Sequence, residues 1–357
     1  MNKIRVMIVE DSRVIRQFLE YIISSDPRLV VVASVENGEE ALRRLAHVSP
    51  DVISMDIHLP GMNGFETTRR IMEEKPTPIV VVSGSLQSHE LQSSMNALRA
   101  GALAVVEKPV GTTHSDYAAL AERLCTQLAI MSQVKVIRQR FNGTMRPCHA
   151  QQGRRISTPI IDTHTEPLKM VGIVASTGGP KALQTLFGAL PANYPVPIAL
   201  VQHITANFHH GFVQWLDQVC PLSVVTAENR QIALPGHIYV APPDYHLEVE
   251  RTQLFLRRGE PVSAQRPSGT VLLQSMATSL KHHAMGIVLT GMGDDGAEGL
   301  LSLRNAGGYT IAEDESTAVV FGMPAVAARI GAVCEQLPLE EIGPRMLHLV
   351  HDSLEAS

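Results

Sequence analysis

Short runs rich in Val and Ile recur along this chain at spacings that leave room for one helix between neighbours, and this alternation constrains the fold more than any other feature. In the first third they fall at Arg5 to Val9, Leu29 to Ala33, Asp51 to Met55, Pro78 to Val82 and Leu103 to Val106. Strands covered on both faces read as continuous apolar runs, so five such units imply a doubly wound parallel sheet. After the first run, Ile15, Phe18, Leu19, Ile22 and Ile23 share one face at a 3.6-residue period, with Arg13, Arg16 and Glu20 pointing away. The alternation fades from Thr126 to Pro167, a stretch holding Gln151-Gln152-Gly153-Arg154-Arg155 and Ser157-Thr158-Pro159 that reads as a linker with a solvated basic surface. It resumes at Met170 to Val174, Pro197 to Val201 and Gly286 to Leu289, with a hairpin expected near Ile238 to Leu256. The fold expected is therefore α/β: two doubly wound parallel-sheet domains, flavodoxin-like over 1–125 and Rossmann-like over 168–354, joined by a linker over 126–167.

A chain of 357 residues, 45% of them apolar, can bury two such cores. Its formal net charge of −5 and the lack of a basic stripe or a helix-turn-helix pattern argue against a nucleic-acid partner. Cys125, Cys148, Cys220 and Cys334 are widely spaced with no CxxC pair, so neither a zinc site nor a disulfide framework is expected, which suits a reducing cytosol. No apolar stretch approaches the ~20 residues of a membrane span, and the amino terminus does not read as an export signal; a cytoplasmic location is expected.

Three carboxylates converge in the first domain. Glu10 and Asp11 end the first strand and Asp56 ends the third. Like charges that close repel and raise one another's pKa unless a cation sits among them, and oxygen ligands with room for water suit Mg²⁺. Lys108, at the end of the fifth strand, adds a positive charge, and Ser83, at the end of the fourth, adds a hydroxyl. Together they make a place to hold a phosphoryl group. Val9-Glu10-Asp11-Ser12, Met55-Asp56, Leu59-Pro60-Gly61-Met62-Asn63-Gly64 and Lys108-Pro109 resemble the receiver domain of two-component response regulators. The resemblance implies that Asp56 accepts phosphate from a histidine kinase, that Glu10 and Asp11 join it in binding Mg²⁺, and that Ser83 and Lys108 sense the phosphoryl group. Val105 stands where many receivers carry an aromatic switch residue.

In the second domain, Ala175-Ser176-Thr177-Gly178-Gly179 and Thr290-Gly291-Met292-Gly293-Asp294-Asp295-Gly296 each follow an apolar run and open a helical pattern, while His203 ends a third run. A serine hydroxyl needs a base to take its proton and a carboxylate to orient that base, so Ser176, His203 and Asp295 read as a catalytic triad. The glycines let backbone approach a substrate closely, and an oxyanion hole is expected near Ser176 or at Met292. The bland alternatives are that Ser176 or Asp295 merely caps a helix. Gly291 to Gly296 also satisfies GxGxxG, with Glu313 and Asp314 about 20 residues on, but two carboxylates inside the loop would face a pyrophosphate.

These motifs, with Gln202-His203, Arg266-Pro267-Ser268, Glu313-Asp314-Glu315 and Phe321-Gly322-Met323-Pro324, look like the chemotaxis methylesterase family known as CheB. With the receiver in front, the resemblance covers nearly the whole chain. It implies the triad Ser176, His203 and Asp295, with the backbone amides of Thr177 and Met292 serving the oxyanion. It further implies hydrolysis of glutamate methyl esters on the cytoplasmic helices of methyl-accepting chemoreceptors to glutamate and methanol, with deamidation of receptor glutamines by some members. A CheA-type histidine kinase is the implied phosphodonor, and no cofactor is implied for the ester chemistry. Val174 departs from the family's usual Gly, Gly269-Thr270 replaces its apolar-acidic pair, and Asp294 adds a second acid beside Asp295. The rival reading is a response regulator whose second domain only binds a partner.

Overall fold

The computed structural model describes residues 3–84, 97–98, 100–109, 117–134, 136 and 167–355. The first domain holds strands β1 (Ile4–Val9), β2 (Leu29–Val35), β3 (Val52–Met55), β4 (Ile79–Ser83) and β5 (Ala104–Glu107), with helices α1 (Arg13–Ser25), α2 (Gly38–Val48), α3 (Gly64–Glu74) and α4 (Tyr117–Met131). All five strands are parallel, in the order β2-β1-β3-β4-β5. Successive residues face opposite layers: Met7, Val9, Ile53, Met55, Ile79 and Val81 enter one core, and Val6, Ile8, Val52, Val80 and Val82 enter the other. Both faces are covered, which is why the strands read as unbroken apolar runs.

Local signals start the helices. Ser12, Asn37 and Asn63 cap α1, α2 and α3, each accepting an N–H from three residues on. In α1, Leu19, Ile22 and Ile23 are buried as the periodicity requires, with Ile15 and Phe18 packed at the edge of that core. The linker expected over 126–167 lies mostly outside the described residues; α4 itself continues to Met131.

The second domain contains β6 (Met170–Ala175), β7 (Ile198–Gln202), β8 (Ser223–Thr226), β9 (Gln231–Ile232), β10 (His237–Val240), β11 (His246–Glu250), β12 (Gln253–Arg257), β13 (Ala284–Val288), β14 (Tyr309–Glu313) and β15 (Glu335–Leu337). Its helices are α5 (Gly179–Gly188), α6 (Ala206–Val219), α7 (Gly269–Ser279), α8 (Ala297–Asn305), α9 (Met323–Arg329) and α10 (Leu339–Glu355). Seven strands form a parallel sheet in the order β15-β14-β13-β6-β7-β10-β8. A small antiparallel sheet, β11-β12-β9, lies apart. The hairpin expected over Ile238 to Leu256 is narrower: β11 and β12 form it, while Ile238 belongs to β10 in the main sheet. That apolar run joins two sheets, and periodicity alone cannot mark where the chain leaves one for the other.

In each parallel sheet the winding reverses between two neighbouring central strands, and crevices open there at the carboxyl ends of the strands. In the first sheet the point lies between β1 and β3, and in the second between β6 and β13.

Candidate active site

Three strand ends meet at the second reversal point. Ser176 follows β6, His203 follows β7, and the segment Thr290 to Asp295 follows β13. The strand ends are tied to one another through backbone: Ser176 N–H donates to Thr290 O (3.0 Å) and His203 N–H to Ala175 O (3.0 Å). Gln202, 3% exposed, clamps two of them, its Nε2 donating to Ser176 O (2.9 Å) and His203 O (3.1 Å). Thr290 is a hub: its Oγ1 donates to Thr177 O (2.8 Å) and accepts from Val320 N–H (2.9 Å), and its own N–H donates to Glu313 Oε2 (2.8 Å).

His203 Nε2 lies 2.8 Å from Asp295 Oδ2, with both side chains nearly buried. The other ring nitrogen, Nδ1, is buried with no partner among the described residues. The ring therefore presents one edge to a carboxylate and keeps the other for a proton. Asp295 also accepts Ser268 Oγ–H (2.6 Å), Gly269 N–H (2.6 Å) and Thr270 N–H (3.1 Å). Burial alone would raise its pKa; the His203 contact and the Ser268 and Gly269 hydrogen bonds outweigh burial and hold it below the ordinary carboxylate value.

Ser176 is half-buried and is not a helix cap, since Gly178 occupies the cap of α5 and no side chain bonds there. Asp295 likewise does not cap the helix that follows it, where Gly296 stands. Gly178 has φ 82, and a Cβ on it would strike Val319, so only glycine permits this turn. No acceptor among the described residues takes the N–H of Thr177 or Met292, and the Met292 side chain is exposed. Asp294 is exposed and stands clear of the His203 pairing.

The departures at Val174 and Gly269 touch each other. A Cβ on Gly269 would run into the Val174 methyls, and one on Gly296 would come within 3.3 Å of them. Val174 thus wedges between the starts of α7 and α8. Thr270 Oγ1 accepts Gly296 N–H (2.8 Å), tying the same two starts together.

The first reversal point carries the acidic cluster. Oxygens of Glu10, Asp11 and Asp56 lie within 4.8 Å of one another, with Asp11 exposed and the other two buried. Lys108 Nζ sits 2.8 Å from Glu10 Oε2 and 3.0 Å from Asp56 Oδ2. Asp56 Oδ1 accepts Ile57 N–H (2.7 Å). Glu10 is pushed up by burial and by Asp56, with Lys108 opposing; Lys108 is itself raised because its two carboxylates outweigh its burial. Ser83 Oγ is buried without a partner among the described residues. An all-oxygen set with one solvent-facing member and an orphaned hydroxyl beside it fits a hard cation and an incoming anion. Val105 is half-buried against the core, so no aromatic ring occupies that position.

The structure thus pairs His203 with Asp295 and gathers Glu10, Asp11, Asp56 and Lys108, while Ser176 stands at the adjoining strand end, tied through its backbone to Thr290, and Ser83 is tied through its backbone to Lys108. Three others did not stand out. Ser268, Thr290 and Glu313 all fall in motifs that carry the family resemblance, but the sequence assigns none of them a part in the triad. Each acts through a contact that closes in space, and membership of a family motif is the sequence signal that each one carries.

The model of the CheB methylesterase family matches residues 171–346, and that of the response regulator receiver domain matches residues 6–116. Along nearly its full length the chain is 51% identical, over 348 residues and 98% of each protein, to protein-glutamate methylesterase/protein-glutamine glutaminase 2 of Paramagnetospirillum magneticum. The chain belongs to the CheB methylesterase family. A second CheB-family relative, the protein-glutamate methylesterase/protein-glutamine glutaminase of Nitrosospira multiformis, is 43% identical over 97% of each chain. The crystal structure of the Thermotoga maritima CheB methylesterase catalytic domain matches at a TM-score of 0.50 and 36% identity, covering 51% of this chain and 99% of that one. The fold expected from sequence is borne out: two α/β domains with parallel sheets, a receiver followed by a CheB methylesterase domain. No described helix is long and apolar enough to cross a membrane.

Proposed function

We propose that this chain is a phosphorylation-activated esterase that hydrolyses glutamate methyl esters on the cytoplasmic helices of methyl-accepting chemoreceptors, releasing methanol, and that it also deamidates receptor glutamines. The observation that carries the reading is the His203–Asp295 pair, saturated on its Asp295 side and open at Nδ1, set at strand ends that converge on Ser176. In this reading Nδ1 takes the Ser176 Oγ proton as Oγ attacks the ester carbonyl. The Thr177 and Met292 amides stabilise the oxyanion. His203 then returns the proton to the departing oxygen of the methyl ester, released as methanol, or to the departing nitrogen of a glutamine amide, released as ammonia, leaving an acyl-serine. Water, activated by the same nitrogen, releases glutamate and restores Ser176. The two ring nitrogens exchange the parts they play in serine proteases, where Nδ1 faces the aspartate.

The proposed division is a receiver over 1–125, a linker over 126–167 and a catalytic domain over 168–354. Asp56 is the proposed phosphate acceptor, from a CheA-type histidine kinase. Glu10, Asp11 and Asp56 would hold Mg²⁺, which supplies positive charge against the incoming phosphoryl oxygens, while Ser83 and Lys108 sense the phosphoryl group. The ester chemistry uses the chain's own side chains and backbone amides, with no cofactor proposed for it, and the proposed location is the cytoplasm.

Contacts between the two domains support control by relief of inhibition. Gln127 on α4 donates to Thr177 Oγ1 (3.4 Å), Asn207 Nδ2 donates to Glu107 Oε1 (2.8 Å), and Val319 and Val320 pack on the receiver core. Thr177 adjoins the nucleophile, so a receiver resting there would obstruct a receptor helix. Glu107 adjoins Lys108, which links the interface to the acidic cluster. The test is methanol release from methylated receptor membranes, with and without a small phosphodonor and Mg²⁺. Release that rises with phosphodonor and vanishes in Ser176→Ala is expected. Release no higher than from receptor membranes alone would leave the partner-binding reading standing, and release unaffected by Ser176→Ala would remove the serine from the reaction.

A further inference from the structure

Asp295 has a carboxylate that takes three of its four contacts from one short segment. Oδ1 takes the Ser268 hydroxyl (2.6 Å) and the Thr270 amide (3.1 Å); Oδ2 takes the Gly269 amide (2.6 Å) and His203 Nε2 (2.8 Å). Ser268 is fully buried and Asp295 is 2% exposed, so no water replaces a donor that is lost. The three donors are the cap and first residues of α7, whose amides also lean toward negative charge through the helix dipole. The segment is fixed from behind as well. Ser268 N–H donates to His246 Nδ1 (3.3 Å), and His246 Nε2 donates to Glu260 O (2.9 Å). From below, Val174 fills the space that a side chain on Gly269 would need, so the backbone amide can come close enough to bond.

We propose that Ser268 is a positioning residue of the hydrolytic relay: with the Gly269 and Thr270 amides it fixes the Asp295 carboxylate so that His203 alone is left to move a proton. This rests on the serine-esterase reading above. Ser268 touches neither substrate nor reacting atom; it acts through Asp295. A carboxylate offers about four acceptor sites, and all four are used. Losing the Ser268 hydroxyl leaves Oδ1 with one partner in a dry site, which lets the carboxylate turn and weakens its support for the protonated imidazole.

The experiment is a double-mutant cycle on the full chain with phosphodonor, reading kcat and KM for methanol release from methylated receptor membranes. Ser268→Ala is expected to lower kcat about 10- to 100-fold with KM changed less than about 2-fold, and to add less than about 2-fold in an Asp295→Asn background. An equal Ser268→Ala effect in both backgrounds, or a loss carried by KM, overturns the proposal. Thr270→Val keeps the amide donor and removes only the Gly296 tie. It should lower kcat a few-fold at constant KM, and an unchanged kcat counts against the cradle even if Ser268→Ala does not fold. Should Asp295→Asn retain full activity, the serine-esterase reading itself falls, an outcome distinct from failure of the Ser268 assignment.

Discussion

Replacing Glu313 by glutamine isolates the proton held by this carboxyl. Glu313 is fully buried at the end of β14; Oε2 accepts Thr290 N–H at 2.8 Å, and Oε1 has no hydrogen-bond partner of normal geometry among the described residues. Burial raises its pKa from 4.5 to about 7, with Asp314 and Glu340 adding to the rise while Thr290 and Thr317 oppose it. A raised folded value means that the fold prefers the protonated acid. Its contribution to stability is complete below about pH 4.5 and is lost as pH climbs through about 7. The full gap corresponds to about 3 kcal/mol, of which about 2.5 kcal/mol falls between about pH 5 and about pH 8.5. Glutamine keeps an acceptor for Thr290 and cannot ionise. Glu313→Gln should therefore gain about 2.5 kcal/mol on the wild type as pH rises over that interval, whatever constant offset its amide introduces. The assay is urea unfolding followed by the fluorescence of Trp215, the chain's one tryptophan, which is buried in α6 and reports on the catalytic domain. Stability curves that stay parallel from acid to alkaline pH would refute the account of this proton.

Ser176→Ala and His203→Ala should each lower ester hydrolysis roughly 10³-fold or more, with the double variant scarcely worse than either, as kinetics on receptor membranes would show. Their melting should move little. His209→Ala makes a destabilised contrast, because that ring is buried, bonds Thr226 Oγ1 at 3.1 Å and is held near a pKa of about 4 by burial, with His210 adding to the effect. Asp56→Ala should abolish Mg²⁺-dependent labelling by a small phosphodonor, read by mass spectrometry after borohydride trapping; labelling that persists removes the assignment. Gln127→Ala, which breaks the receiver's hydrogen bond to Thr177, should raise unphosphorylated activity a few-fold while leaving phosphorylated activity unchanged. Equal activities of mutant and wild type without phosphodonor would count against that contact.

What was legible in the sequence follows what each feature depends on. Strands such as β1, β3 and β7 show themselves because burial on both faces demands unbroken apolar runs, and α1 shows itself because one face is buried. β8 and β15 are sheet edges of four and three residues, too short and too mixed to stand out. β10 is apolar enough, but its run continues toward the small sheet, and only pairing reveals the division. In the site, Ser176, His203 and Asp295 were readable because chemistry fixes their residue types and strand ends fix their places. Ser268 was not, since it reaches Asp295 across 27 residues and any buried serine has the same sequence signature. His209 carried no sequence sign that it is buried and bonded to Thr226.

The web around Thr290 has a consequence for motion. Its N–H rests on Glu313, its carbonyl takes the Ser176 amide, and its hydroxyl bonds both Thr177 O and the Val320 amide. None of these loops can lift without breaking a bond that holds another. The amides of Ser176, Thr290 and Val320 should therefore exchange with solvent deuterium as one cooperative unit, at a common rate set by a single opening event. Met292, two residues beyond Thr290, turns its side chain to solvent, where it can answer a passing receptor helix while the frame beneath it stays closed.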